Sequence, residues 1–406
     1  MRANRRVFKG LGPILGVGWM FIAGAAFSQV LPPGPPTTSS FVPYGGLQYL
    51  YDSNVYRTPN SQTAFLISGD PTLGDSSLRY LVGVDGTYLW SRQILTGNVQ
   101  FAHQYYDHFT QLDHSEYQGN LHLDWKFLAN FDGMAEIGET HAQAPFADRN
   151  AKGLTINTNR YVGEKFNVSI GPNWRLETGA QFRNLDAPIQ NYPDFLERDV
   201  TETFALKYIG LGALTYGVQY TRLDGKFENA PDTGPYHQNS INATANYAVT
   251  ALSTFTGAIG YTKRDQAANL GSVSGYTGAF AYRRQLTPKT GIFVELTRNV
   301  NSYVAAGGSE LDTAAAAGVN WQATYKLAFT ANIQYMHSTF IGQAIPGSEA
   351  TGRVDKLPGA GLVATYQIAR RVLVRGHATY AKRESNVPDV AFSDSLIGVD
   401  LIGRWQ

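Results

Sequence analysis

From about residue 42 onward the chain is a long series of short segments in which apolar and polar side chains alternate. Tyr80, Val82, Val84, Gly86, Tyr88 and Trp90 form one row, and Leu121, Leu123, Trp125 and Phe127 form another, with His122, Asp124 and Lys126 between them. A period of two means β-strands with two unlike faces. One face meets something apolar and the other meets water. When this pattern fills a chain behind a secretion signal, the apolar partner is lipid. Strands in lipid must satisfy every backbone N–H and C=O among themselves, so the sheet has to close. The fold expected is all-β: a transmembrane, antiparallel, up-and-down β-barrel.

Composition agrees. Charged residues make up 16% of the chain, below the roughly 25% of ordinary soluble proteins. Aromatics reach 13%, with 24 Tyr and 21 Phe, which suits girdles at the two membrane interfaces. Mean hydropathy is -0.23, too polar for a helical membrane protein but right for strands with one wet face. A net charge of +1 over 406 residues argues against nucleic acid as a partner. With no cysteine, neither a disulfide nor a thiolate metal site or nucleophile is available.

Residues 1–28 read as a cleaved secretory signal. Arg2, Arg5, Arg6 and Lys9 precede an apolar stretch, and Ala26 and Ser28 are the small residues at a cleavage site. Residues 29–41, rich in Pro, Thr and Ser, read as an extended periplasmic leader. The barrel is then 42–406, exported to the outer membrane.

The turns give the strand count. Short polar turns fall at 91–93, 129–130, 171–173, 210–212, 249–251, 287–289, 325–327 and 369–371. Longer segments rich in Asp, Asn, Pro and Gly lie between them, for example 59–75, 185–198, 224–238 and 342–358. Short turns in the periplasm alternating with long loops outside are the outer-membrane pattern. Eight short turns and nine long loops give about 18 strands, with 16 the neighbouring even count. The final row, Ile397, Val399, Leu401, Gly403 and Trp405, resembles the last-strand signal read by the barrel assembly machinery, although Gln406 follows the aromatic. About 18 strands enclose a wet channel rather than a packed core.

The rows opposite the apolar ones face that channel. They carry Arg79, Lys165, Arg175, Arg183, Lys207, Arg283, Arg375 and Arg404 as candidate lining cations, with Asp85, Glu177, Glu295, His377 and Asp400 among them. A Lys or Arg facing lipid at mid-membrane costs roughly 2–4 kcal/mol, which is a physical reason to place these inside. Two readings are open. Either the charges pair across neighbouring strands and keep the lumen wet and stiff, or the cations form a path for an anionic solute or polymer.

The first strand ends Tyr51-Asp52-Ser53-Asn54-Val55-Tyr56-Arg57, and a later loop carries Ala144-Pro145-Phe146-Ala147-Asp148. This opening and the short Phe-x-Asp element resemble the EpsL-like outer-membrane barrels associated with exopolysaccharide biosynthesis. The resemblance implies a conduit through which a saccharide or polysaccharide crosses the outer membrane, working with periplasmic or inner-membrane secretion components. Within the motif, Asp52, Asn54 and Arg57 have a structural reading, tying the first strand near the rim, and a polymer-contact reading.

Two alternatives stand beside this one. The first is a general or substrate-specific diffusion porin for small solutes, with a long loop folded inward. The second is a barrel hydrolase built on His103, Asp107, His108, Asp113 and His114, which crowd the connection between the third and fourth strands. That cluster matches no metal-ligand spacing, the chain has no nucleophile elbow or phosphate loop, and neither a cofactor nor enzymatic chemistry is expected.

Overall fold

The structure is a computed structural model, described over residues 38–148, 153–188, 194–210, 213–229, 234–266, 271–303, 308–342 and 352–405. The signal and residues 29–37 of the leader lie outside the described residues. The strands are β1 (Ser40–Asp52), β2 (Asp75–Trp90), β3 (Gln93–Tyr106), β4 (His114–Lys126), β5 (Phe131–Gln143) and β6 (Ile156–Ile170). They continue with β7 (Trp174–Asp186), β8 (Leu196–Ile209), β9 (Leu214–Glu228), β10 (Pro235–Thr250), β11 (Ser253–Asp265) and β12 (Ser272–Thr287). The last six are β13 (Thr290–Tyr303), β14 (Gly308–Gln322), β15 (Leu327–Ile341), β16 (Val354–Ala369), β17 (Val372–Ser385) and β18 (Phe392–Arg404). Among the described residues one α-helix, α1 (Ser61–Ser68), lies in the β1–β2 connection, capped by the Asn60 side chain at one end and by Gly69 at the other. No helix among the described residues is long and apolar enough to cross a membrane. The strands do the crossing.

Each strand pairs antiparallel with the next, and β18 returns to β1, from Tyr44↔Arg404 to Asp52↔Leu396. The result is a closed 18-stranded barrel. Closure removes the sheet edges that lipid cannot tolerate. The short turns fall where the sequence places them, with part of 210–212 outside the described residues. Strands begin earlier and end later than the sequence suggests. β1 takes in Ser40 and Phe41 from the segment read as leader, while β8, β9, β10 and β16 extend into the segments read as loops.

The outward face carries a band of exposed apolar side chains: Val82, Val99, Leu121, Ile137, Val162, Val218, Ile241, Ile259, Ile333, Leu362 and Val399. Aromatics edge it. Tyr88, Trp90, Trp174 and Trp321 lie near the short turns, while Tyr49, Tyr80, Tyr261, Tyr276, Tyr335 and Tyr380 lie toward the long loops. On β2, Tyr80 and Trp90 are ten residues apart. That is about 33 Å along a strand, or ~25 Å along the normal at a barrel tilt of about 40°, the height of an outer-membrane apolar band. The strands run 13 to 16 residues, so the wall continues beyond the upper girdle as a collar outside the bilayer.

The ladder is interrupted in one long stretch. β12 and β13 pair from Thr287↔Thr290 up to Gly278↔Arg298 and no further. Above that point Ser272 to Thr277 pair only with β11, and Asn299 to Tyr303 only with β14. A smaller interruption on β16 skips Leu357 and Pro358, where proline lacks the N–H for a rung.

Candidate functional site in the barrel lumen

Each of the eight predicted lining cations has a carboxylate partner. Near the short turns, Arg175 and Glu177 alternate with the exposed Trp174 and Leu176 and therefore stand on the inner row. Glu177 accepts from Lys165 and Lys207, each at 2.7 Å, and from Arg175 at 3.2 Å, while Arg175 also reaches Asp132 at 2.7 Å. Further round, Arg375 lies 2.5 Å from Asp400, with His377 at 3.8 Å from the same carboxylate. Arg283 pairs with Glu295 at 2.7 Å, and Arg404 stands 3.8 Å from Asp85. At the long-loop end Arg79 pairs with Glu116 at 2.9 Å, and Arg183 holds both Glu197 and Asp199, at 2.8 Å and 2.7 Å. The pairs cross neighbouring strands, so they stiffen the wall and leave little unneutralised positive charge.

The three motif residues hold the rim. Arg57 binds Asp52 at 2.9 Å and Asp394 of β18 at 3.0 Å, and its guanidinium also donates to the Asn54 carbonyl. Asn54 donates to the Thr58 and Ser393 carbonyls, fastening the end of β1 to β18. Arg57 lies on the left-handed side of the Ramachandran map, at φ 55, which turns the chain inward after β1.

The mouth is narrower than an empty 18-stranded collar. Tyr56, after β1, packs edge-on against Phe109 and tilted against Phe146, so three separate connections share one buried cluster with Val55 and Leu112. The next residue of the β5–β6 connection, Ala147, offers its carbonyl to Arg383 of β17 at 2.5 Å. β18, β1, β2, β3 and β4 lie between those two strands in the wall, so this connection reaches across the lumen. A second cluster joins Phe195, Leu223, Phe227 and Tyr236 inside the opposite side. There Tyr236 donates to Glu197 at 2.8 Å and Arg264 stacks on its ring at 3.8 Å.

Sequence reasoning missed the arginines that finish this mouth. Arg264, Arg353 and Arg383 are almost fully buried. Arg353 and Arg383 share Asp355, and Phe340 and Phe392 lie under their guanidinium planes. The two-residue alternation through Tyr261 and Lys263 puts Arg264 on the inner row, a signal that was available. Arg353 lies in a stretch that reads as loop, and no local pattern ties Arg383 to Ala147.

The histidines proposed for a hydrolase do not converge. His103 bonds Ser115, His114 bonds the Leu112 carbonyl and Glu116, and His108 pairs with Asp70 at 2.7 Å. Asp113 accepts from the Tyr106 backbone instead of meeting His108. Among the described residues no group of three or more acidic or imidazole side chains is placed to hold a metal.

The closed ladder, the outward apolar band between aromatic girdles and the polar, ion-paired interior define an outer-membrane-type β-barrel. Residues 226–404, from the end of β9 to the end of β18, match the family described as "Putative beta-barrel porin 2". No curated protein matches the chain in sequence. Solved structures with similarity include the copper transporter OprC, at 12% identity and a TM-score of 0.49, covering 87% of this chain and 62% of that one. The chain thus spans less than two thirds of OprC. The outer membrane protein opdK from Pseudomonas aeruginosa is also similar, at 12% identity and a TM-score of 0.49 over 90% of this chain and 99% of that one. OccAB3 from Acinetobacter baumannii follows at 11% and 0.46, over 90% and 100%.

Proposed function

We propose that this protein is an outer-membrane channel that admits small hydrophilic solutes by diffusion through a wet, charge-balanced lumen. The observation that carries this reading is the contact between Ala147 and Arg383 across the mouth. A connection pinned inside the collar makes an eyelet, and an eyelet suits small solutes better than a continuous polymer. The match to a porin family over β10 to β18 supports the same reading. No catalytic step is needed, and direction follows the solute gradient.

Passage of an exopolysaccharide is the second reading, and the resemblance around Asp52, Asn54 and Arg57 favours it. Those side chains are engaged in rim contacts, which weakens them as polymer contacts.

Single-channel recording of the purified barrel in planar bilayers tests the proposal. The expected result is a stable conductance without added partners, with monosaccharides passing and long oligosaccharides excluded. A barrel that never conducts overturns the channel reading. A barrel that threads long anionic oligosaccharides favours the polymer conduit.

A further inference from the structure

The free hydrogen-bonding capacity of the lumen lies away from its charges. From β4 to β8, where the charges stand, the amides are already engaged: Gln181 donates to Glu136 at 3.1 Å and Asn167 to Asp132 at 2.9 Å. β14, β15 and β16 differ. Below Asp312, Ser338 and Asp355 at the mouth, their described inner rows carry no charged side chain down to the short turns. Asn332 and Gln334 of β15 alternate with the exposed Ile333 and Tyr335, which puts both amides on the inner row. Among the described residues neither amide has a hydrogen-bond partner.

The wall around them is low. Asn332 stands between Gly318 of β14 and Gly361 of β16, and Gln334 stands between Ala316 and Gly359. Both amides lean over the β16 glycines. A Cβ on Gly361 would lie 2.7 Å from Asn332 Oδ1, and one on Gly359 would lie 3.0 Å from Gln334 Nε2. From the other side the Phe293 ring, on the inner row of β13, covers Gly318, where a Cβ would fall 2.5 Å from the ring. Glycine at these three positions lets an aromatic ring and two amides lie low against the wall. The ring is over β14 and the amides are over β16, two strand spacings or about 10 Å apart.

We propose that Phe293, Asn332 and Gln334 form a binding site for uncharged saccharides on the lumen wall, and that it favours neutral sugars among the small solutes the channel admits. A sugar ring has an apolar C–H face and a rim of hydroxyls. The face packs on an aromatic ring. Each hydroxyl both donates and accepts, and a carboxamide answers it with one carbonyl and one NH2 group. A few placed polar groups beside an apolar surface fix the orientation of a small ligand. An ion finds no counter-charge here, because Arg283 and Glu295, which stand beside Phe293, neutralise each other at 2.7 Å. The effect on transport rests on the channel reading above; the binding itself does not.

Saturation-transfer NMR on the purified barrel in nanodiscs tests the site without any conduction. The probes are maltose, cellobiose and xylobiose, with digalacturonate as the charged comparison. Saturable binding of at least one neutral disaccharide is expected, tighter than that of digalacturonate. Phe293→Leu keeps apolar bulk over Gly318 and removes the aromatic face, while Asn332→Ala and Gln334→Ala each remove one amide. Each variant, in a barrel that still migrates as folded on a gel, should weaken binding about three- to tenfold. No saturable binding of any neutral probe overturns the proposal, as does digalacturonate binding as tightly as the best of them. Affinity unchanged in Phe293→Leu, or in both amide variants, overturns it too. Bilayer recording on the same preparation separates the site from the channel. A barrel that binds the disaccharide but never conducts overturns the channel reading and leaves the site standing; one that conducts but binds no neutral probe overturns the site and leaves the channel.

Discussion

Replacing Glu177 with Gln tests both the stiffness and the selectivity of the lumen. Glu177 has 9% of its side chain exposed and serves three cations at once, Lys165, Lys207 and Arg175. At an effective dielectric of about 20, each contact has a gross attraction on the order of 4 kcal/mol. Most of that attraction only offsets desolvation, and removing one partner of a buried pair costs about 3–5 kcal/mol net. The three cations are 21–32% exposed, so water takes up part of their charge once the carboxylate is gone. Loss of roughly 2–3 kcal/mol of stability is the expected result, seen as a lower urea midpoint for unfolding from vesicles. Selectivity changes too. Three cations against Glu177 and Asp132 give a local charge of +1, and without Glu177 it becomes +2. In a salt gradient around 0.1 M the reversal potential should move toward anions. Near 1 M, where screening acts within about 3 Å, the shift should vanish. An unchanged reversal potential at low salt in a folded, conducting barrel would refute the placement of this cluster beside the ion path. Unchanged stability would refute the pairing as a support of the wall.

Other consequences are as definite. Glu164 faces outward between Val162 and Phe166 on β6, with Ala135 and Ala180 beside it on the neighbouring strands, so it stands among apolar groups in the lipid band. Glu164→Leu should stabilise the barrel by about 1–2 kcal/mol in vesicles, and a loss of stability would mean that lipid does not cover this face. At Gly225 an added Cβ falls 2.2 Å from the Tyr236 ring. Gly225→Ala should therefore cost about 2 kcal/mol by pushing Tyr236 off Glu197 and Arg264, and wild-type stability would show that the ring has room to move. In the β1–β2 connection, side-chain and backbone hydrogen bonds from Thr72, and then His108, hold the exposed Asp70 carboxyl down at about 2. Because the folded value is depressed, whatever this group contributes is present above the ordinary carboxylate value and is lost as pH falls through about 2. Carboxyl carbon shifts should titrate with a midpoint near 2 and return toward the ordinary range in Thr72→Ala; an ordinary midpoint in the wild type would refute the contacts.

The wall was legible in the sequence because each strand writes its own two-residue period and each short turn is local. The strand ends were not. The stretch around Val354 to Pro358 carries Asp, Lys and Pro, which read as loop, yet it lies in β16 because the collar outside the bilayer has no need of apolar outer residues. The candidate cations were assigned one by one, since alternation fixes the side of the sheet that each side chain takes. Their partners were legible only where they lie close by in the sequence, as with Arg175 and Glu177 two residues apart on β7. Arg383 and Ala147 are 236 residues apart, and Arg57 meets Asp394 only because the barrel closes. The parting between β12 and β13 left no mark at all, because both strands keep their alternation through it. The crowded histidines misled for the opposite reason: nearness along the chain placed them on different faces of β3, β4 and their connection.

The meeting of β1 with β18 also sets an order in time. Ser53 bonds Asp394 across a sequence separation of 341, and the Trp405 amide donates to the Pro43 carbonyl. Every other rung of the wall joins neighbours in sequence, so hairpins can form as the chain arrives. This last seam waits for the final strand. Until then the sheet is an open ribbon with two long sticky edges, each able to capture another copy or itself out of register. The residues from Leu396 to Trp405 therefore act as a clasp that ends the assembly, and a chain deprived of them would be expected to aggregate at its edges although most of its strands are intact.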